Sequence, residues 1–289
     1  MHEIDKIREA AKRIPRGVIV TVIATQGSTY RRAGARVAIS EDGKAYGAIS
    51  GGCLERDLAE RIRPWLDEFT PRLVTYDSTR ADDVIFGLGL GCRGIVDLLI
   101  EPFDSARPPR LVTDFRWNGR APVEWSTHLP NGEELVEIIQ PQRAIAIFGA
   151  GADVEPVAQL AHALGWSADV IAPRKSFDAN AYDAAIVMTH NYMLDVDILR
   201  ALLASPVAYI GLLGPKTRGD ELLAEIAATR DERIHSPIGL DLGAETPEEI
   251  ALSIIAEVQA VLAKRSAQFL RDVDGPIHAP AGVNTTTCA

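Results

Sequence analysis

The chain reads as an α/β protein, with a small N-terminal α/β domain followed by a Rossmann-like parallel-sheet domain. Three observations predict it. Beyond residue 140, short apolar runs alternate with helical stretches, the order that βαβ units need for a parallel sheet. The run Ala144 to Phe148 ends on Gly149-Ala150-Gly151-Ala152-Asp153, small residues that let a strand turn tightly into a helix. Before residue 102, β-branched runs flank a long helical pattern. The boundaries follow as 1–138 for the first domain, 139–271 for the second and 272–289 for a mobile tail rich in Pro, Gly and Thr.

Residues 3–13 have the apolar spacing of a short helix. Val18 to Ala24 is a continuous apolar run with β-branched enrichment, a buried strand broken by Gln26-Gly27-Ser28-Thr29. Arg36 to Ile39 and Ala45 to Ile49 flank Glu41-Asp42-Gly43-Lys44, a hairpin turn. Leu54 to Phe69 carries apolar residues at helical spacing, with Pro64 predicted to kink or split the helix. Leu73 to Tyr76 and Ile95 to Ile100 are further strands. Residues 102–110 are rich in Pro and Arg, and the stretch to about 140 reads as strands and loops with turn signals at Asn118-Gly119 and Asn131-Gly132. In the second half, strands are predicted at 144–148, 168–172, 184–188 and 207–210, and helices at 154–164, 194–203 and 217–228. Thr246-Pro247-Glu248-Glu249 has Thr at the N-cap, Pro at the first helical position and Glu at the third, a capping box opening a last helix that runs to about Phe269.

The 289 residues are 47% hydrophobic and 24% charged, ordinary for a globular protein with room for two cores. The net charge of −10 argues against general nucleic-acid binding. No apolar stretch is long enough for a spanning helix, and the charged N-terminus has no signal-peptide core. Three cysteines are an odd, low count, read as reduced thiols in the cytoplasm.

Two of those thiols sit in glycine-set turns: Ser50-Gly51-Gly52-Cys53-Leu54-Glu55 and Gly87-Leu88-Gly89-Leu90-Gly91-Cys92-Arg93-Gly94. Such turns offer a thiol to something outside the core, while a free cysteine is equally at home buried. Cys53 and Cys92 are therefore the candidate catalytic or metal-binding residues, as soft ligands or sulfur carriers, with Gly52, Glu55 and Arg93 beside them. Arg31, Arg32 and Arg36 concentrate positive charge after the first strand, suited to a phosphate or carboxylate or to a solvated loop.

In the second half, candidate ligand-binding residues follow the strand ends: Gly149 and Gly151, then His190, then Gly214, Lys216 and Arg218, then Asp241. A dinucleotide site is poorly supported. The third glycine position is Val154, and Ala172 stands where NAD binders place an acid for the ribose hydroxyls. Asp153 at the helix start repels phosphate, while Arg174 and Lys175 attract it.

Together these segments resemble the XdhC/CoxI family, accessory proteins that mature molybdenum hydroxylases such as xanthine dehydrogenase. The resemblance rests on ATQGSTYRRAGAR, GAISGGCLE and FGLGLGCRG in the first half, and on IFGAGADVEP, VMTHNYMLDVDIL, YIGLLGPKTR and PIGLDLGAETPEEIALSIIAE in the second. It spans about residues 3–271. It implies binding of the molybdenum cofactor (molybdopterin), help in its sulfuration and insertion into the apo-hydroxylase, with a cysteine desulfurase as a second partner and a homodimeric assembly. The alternatives are an NAD(P)-dependent oxidoreductase using the Rossmann-like domain, and a docking protein that needs neither cysteine.

Overall fold

The computed structural model describes residues 2–79, 94–172, 175–227, 231–274 and the backbone of 284–286. The chain divides into two compact units, residues 2–141 with 275–289, and residues 142–274 with Met1.

The first unit is built on a long strand, β1 (Arg16–Gly27), whose residues 17–23 are all buried. That continuous run is explained by cover on both faces. The helix α1 (Glu3–Arg13) precedes it, and β2 (Arg36–Ser40) and β3 (Ala45–Gly47) form the expected hairpin, with Gly43 at φ 84° in its turn. Then come α2 (Cys53–Glu68), β4 (Arg72–Asp77) and β5 (Gly94–Asp104). The sheet order is β3-β2-β1-β5-β4, every pair antiparallel. On one face, Val18, Val20, Val22, Val37 and Ile39 pack against Leu54, Leu58, Ile62 and Leu66 of α2. On the other, Ile19, Ala38 and Phe103 pack against Ile4, Ile7 and Ala11 of α1, and against Leu111 in the short helix α3 (Arg110–Thr113) and Phe115. The hairpin of β6 (Val123–His128) and β7 (Glu134–Ile139) turns at Asn131-Gly132, where Gly132 has φ 86°, and residues 284–286 add a short strand beside β7. The buried ion pair of Arg36 on β2 with Glu137 on β7 ties this hairpin to the larger sheet.

Pro64 does not split α2. It removes one N–H from the ladder, and both Pro64 and Glu60, whose carbonyl loses that bond, lie on the exposed side of the helix.

The second unit has the parallel sheet. Its elements are β8 (Ala144–Phe148), α4 (Val154–Ala163), β9 (Ser167–Ile171), β10 (Ala184–Val187), α5 (Tyr192–Leu203), β11 (Tyr209–Leu212), α6 (Lys216–Glu225), β12 (Ile234–His235) and α7 (Pro247–Leu262). The strand order is β12-β11-β10-β8-β9. Side chains alternate across the layer: Ile145 and Ile147 join the core under α4 and α7, while Ala146 and Phe148 join the core under α5 and α6. The capping box at Thr246 and Glu249 forms as expected. The last helix ends at Leu262, short of Phe269. Lys264 takes a left-handed φ of 54°, and the Arg265 N–H returns to the Ala260 carbonyl at 2.8 Å. This is a Schellman-type stop made without glycine, so no residue signals it. The two-residue β12 is too short for periodicity to show.

Candidate functional site

The cysteine turn is set by a carboxylate. Glu55, in the first turn of α2, is buried and points back under the loop that precedes its own helix. It accepts the N–H of Ile49 at 2.7 Å and of Ser50 at 2.8 Å, and a short hydrogen bond from the Ser50 hydroxyl. Burial pushes the Glu55 carboxyl up, but the bonds from the Ser50 hydroxyl and these N–H groups outweigh it and hold the group below its ordinary value. Gly52 takes φ 108°, a conformation that favours glycine. A Cβ added at Gly51 or Gly52 would meet nothing within 4 Å, so the turn borders open space.

Cys53 is the first residue of α2 and is half-buried. Its Sγ lies 3.5 Å from Ser50 Oγ. That oxygen gives its proton to Glu55 and takes the N–H groups of Gly52 at 3.0 Å and Leu54 at 3.1 Å. A hydroxyl oxygen has two lone pairs, and the backbone donors fill them. The thiol is thus the third and weakest claimant on Ser50, held in place yet free to exchange that contact for another partner. Ser50 is visible in the sequence as part of the motif, but its role as the hub of the turn is not. The useful signal is a Ser five residues before a Glu across a Gly-Gly turn.

Glu55, expected to support a ligand, therefore builds the loop. Cys92 and Arg93 lie outside the described residues. Among the described residues no group of three or more His, Cys, Asp or Glu side chains could hold a metal ion.

The second unit gathers the other candidates at its strand ends. The sheet order reverses between β8 and β10, the switch point where open α/β sheets bind ligands. Gly149 and Gly151 follow β8, and His190 follows β10. A Cβ at Gly149 would lie 2.8 Å from Val154 Cγ2 and 2.9 Å from the Met188 carbonyl, so this glycine lets α4 start close against the sheet. The Asp153 carboxylate stands over Gly151, its Oδ1 2.3 Å from where a Cβ would be, and puts negative charge beside the glycine turn. His190, at φ 56°, places Nε2 2.8 Å from Asp153 Oδ2, so the pair bridges the switch point.

Arg218 is committed elsewhere. Its guanidinium meets the buried Asp195 of α5 at 2.6 Å, and Asp195 also takes the Thr189 hydroxyl. These bonds tie the loops after β10 and β11 together. Gly214 takes φ 143° in that second loop, Lys216 is exposed at the start of α6, and Asp241 is exposed beyond β12. Neither the partner of Asp153 nor Asp195 is foreseeable, since nothing in sequence spacing links β8 to β10 or α5 to α6. Gly239 is anchored as the Cys53 turn is: Glu257 of α7 accepts its N–H at 2.6 Å, the Tyr209 hydroxyl at 2.6 Å and His235 Nδ1 at 2.9 Å.

An N-terminal thiol turn joined in one chain to a Rossmann-type unit defines a narrow class of α/β proteins. Comparisons with known proteins agree. The XdhC and CoxI family matches residues 11–77, and the XdhC Rossmann domain matches residues 145–258. A Bacillus subtilis protein described as a probable subunit of xanthine dehydrogenase is 30% identical, over 83% of this chain and 92% of its own. The molybdenum cofactor insertion chaperone PaoD of Escherichia coli is 26% identical, over 84% and 83%. A crystal structure described as a xanthine dehydrogenase of Bacillus halodurans superposes with a TM-score of 0.77 at 29% identity, covering 93% of this chain and 98% of that one. The chain belongs to the XdhC and CoxI family. No helix among the described residues is long and apolar enough to cross a membrane.

The Glu55 network has a measurable consequence. Its folded pKa lies below the ordinary 4.5, so its contribution to stability is complete above that value and fades as pH falls through the folded pKa. Glu55→Gln should cost about 1–3 kcal/mol in urea unfolding at pH 7. The gap between variant and parent should shrink below about pH 4.5. An equal gap at all pH values would show that the charge is not what holds the turn.

Proposed function

We propose that the protein is a maturation factor for a molybdenum hydroxylase: it takes the molybdenum cofactor as cargo, presents it for sulfuration and passes it to the apo-enzyme. The observation that carries this reading is the Cys53 turn. A thiol at the start of α2, loosely held by Ser50 and bordered by the open space over Gly51 and Gly52, is suited to meet a large soft-metal centre. The relative named as a cofactor insertion chaperone supports the cargo, and the one described as part of xanthine dehydrogenase supports the client.

Within this reading each residue has a task. Gly51 and Gly52 keep the approach clear. Glu55 and Ser50 hold the turn, so that little ordering is needed when cargo arrives. Cys53 gives up its weak bond to Ser50 and supplies a soft sulfur to the metal centre, or attacks as thiolate the outer sulfur of a desulfurase persulfide. In the second case the donor's S–S bond breaks, its thiolate leaves and the sulfur passes to Cys53 as a new persulfide. Cys92 and Arg93 are proposed as further contacts. A cysteine desulfurase as sulfur donor and a homodimeric assembly belong to the same proposal.

The Rossmann-type unit is not proposed as a dehydrogenase. Asp153 sets a carboxylate over Gly151 where it would repel a phosphate, and Ala172 gives no acceptor for ribose hydroxyls. Calorimetry with NAD(H) and NADP(H) should show no binding in the micromolar range. Tight NADH binding with turnover of a small substrate would replace this reading with the oxidoreductase one.

Cofactor titration and reconstitution of an apo-hydroxylase test the main proposal. Cys53→Ala and Cys53→Ser should unfold close to the parent yet bind cofactor about tenfold more weakly, near 1.4 kcal/mol, and activate the client less. Binding and activation equal to the parent in both variants would remove Cys53 from the site.

A further inference from the structure

A second site lies in the first unit, on the sheet face covered by α1, whereas Cys53 and α2 belong to the opposite face. A cavity of about 430 Å³ opens between the start of α1, the loop of residues 30–35 and β7. Its floor is the buried pair of Arg36 and Glu137. Arg36 also donates to the Gly34 carbonyl at 2.8 Å, and Gly34, at φ 90°, passes so close to Glu137 that a Cβ would lie 2.3 Å from its Oε1. The loop is therefore pinned at one end by a largely buried charge pair. At its other end Arg31 is held by both oxygens of Glu3, at 2.7 and 2.8 Å.

Between these anchors Arg32 stands differently. It is half-buried, lines the cavity, and makes no side-chain hydrogen bond or ion pair among the described residues. Among the cavity-lining arginines, Arg31 pairs with Glu3 and Arg36 with Glu137, and Arg32 has no such partner. The chain as a whole is acidic, so this local excess is against the trend. Burial holds the His2 imidazole below its usual value, so it adds no charge at neutral pH. The rest of the wall carries Gln140 together with the apolar Ile4, Ile7 and Ile139. Ile138 is 51% exposed and Tyr30 is 59% exposed at the rim, large surfaces that water covers poorly.

We infer that this cavity binds a nucleoside monophosphate, a phosphate monoester joined through a sugar to a planar base, with Arg32 as the forked donor to the phosphate and Tyr30 and Ile138 as the surface for the base. A guanidinium on a pinned loop offers two parallel N–H donors at little ordering cost, the geometry that recognises phosphate oxygens. The cavity volume lies within the range of small-molecule sites. Such a site needs neither cargo nor client, and so goes beyond the proposed function.

The test is binding of 5′-GMP to the full chain by calorimetry, with guanosine and inorganic phosphate as separate probes. GMP should bind more tightly than either fragment. Arg32→Ala should weaken GMP by about tenfold or more, and Arg32→Lys, which keeps charge but loses the fork, should fall between. Tyr30→Ala should weaken GMP and leave phosphate unchanged. Arg63→Ala, which removes an exposed charge from α2, controls for net charge and should match the parent. No GMP binding by the parent at about 1 mM, a Kd equivalent to −4.1 kcal/mol, or equal binding by Arg32→Ala, would overturn the inference.

Discussion

One carboxylate decides the shape of the cysteine turn. Glu55 is buried, and burying a charge is costly unless it is fully hydrogen-bonded. Here two N–H groups and a hydroxyl meet it, all from residues 49 and 50, just before the helix that carries it. The helix thus folds back and grips its own entry loop. Ser50 passes that order on, because its oxygen organises the N–H groups of Gly52 and Leu54 and touches the thiol last. The position of Cys53 follows from this chain of bonds. The second unit repeats the device at larger sequence separation, with Glu257 gathering Tyr209, His235 and Gly239 around the end of its sheet.

The second unit keeps a Rossmann-type sheet with a carboxylate standing over its glycine turn. Asp153 sits over Gly151 and is paired with His190 across the switch point. Arg218, in the first turn of the helix after β11, is paired with Asp195. Glycines survive where the backbone must come close, as Gly149 does beneath Val154 and Met188. The glycine turn is therefore an element of packing as much as of binding, which is why a fold of this type fixes no single activity.

Much of the fold is legible in the sequence. Strands with both faces covered, β1 and β8, read as unbroken apolar runs, and the cap at Thr246 announces α7 by side-chain chemistry alone. What is not legible lacks a local signature. The stop at Lys264 uses a left-handed lysine in place of glycine, and the helix runs on through Pro64 on its exposed side. The site is legible in part: the Gly-Gly-Cys turn is visible, and the sense of Glu55 is not. A Glu beside a Cys suggests a ligand pair, but only coordinates show the carboxylate turned inward to backbone donors. The partners of Asp153 and Arg218 come from other strands and helices, and no spacing rule reaches them.

The central claim is that Cys53 is the point at which cargo meets the protein. Alkylation of the full chain, followed by mass spectrometry of the Cys53 peptide, tests it with and without bound molybdenum cofactor. The account predicts that Cys53 reacts readily in the free protein and becomes protected in proportion to the cofactor bound. Undiminished alkylation of Cys53 in protein shown by metal analysis to carry a full complement of cofactor would contradict it.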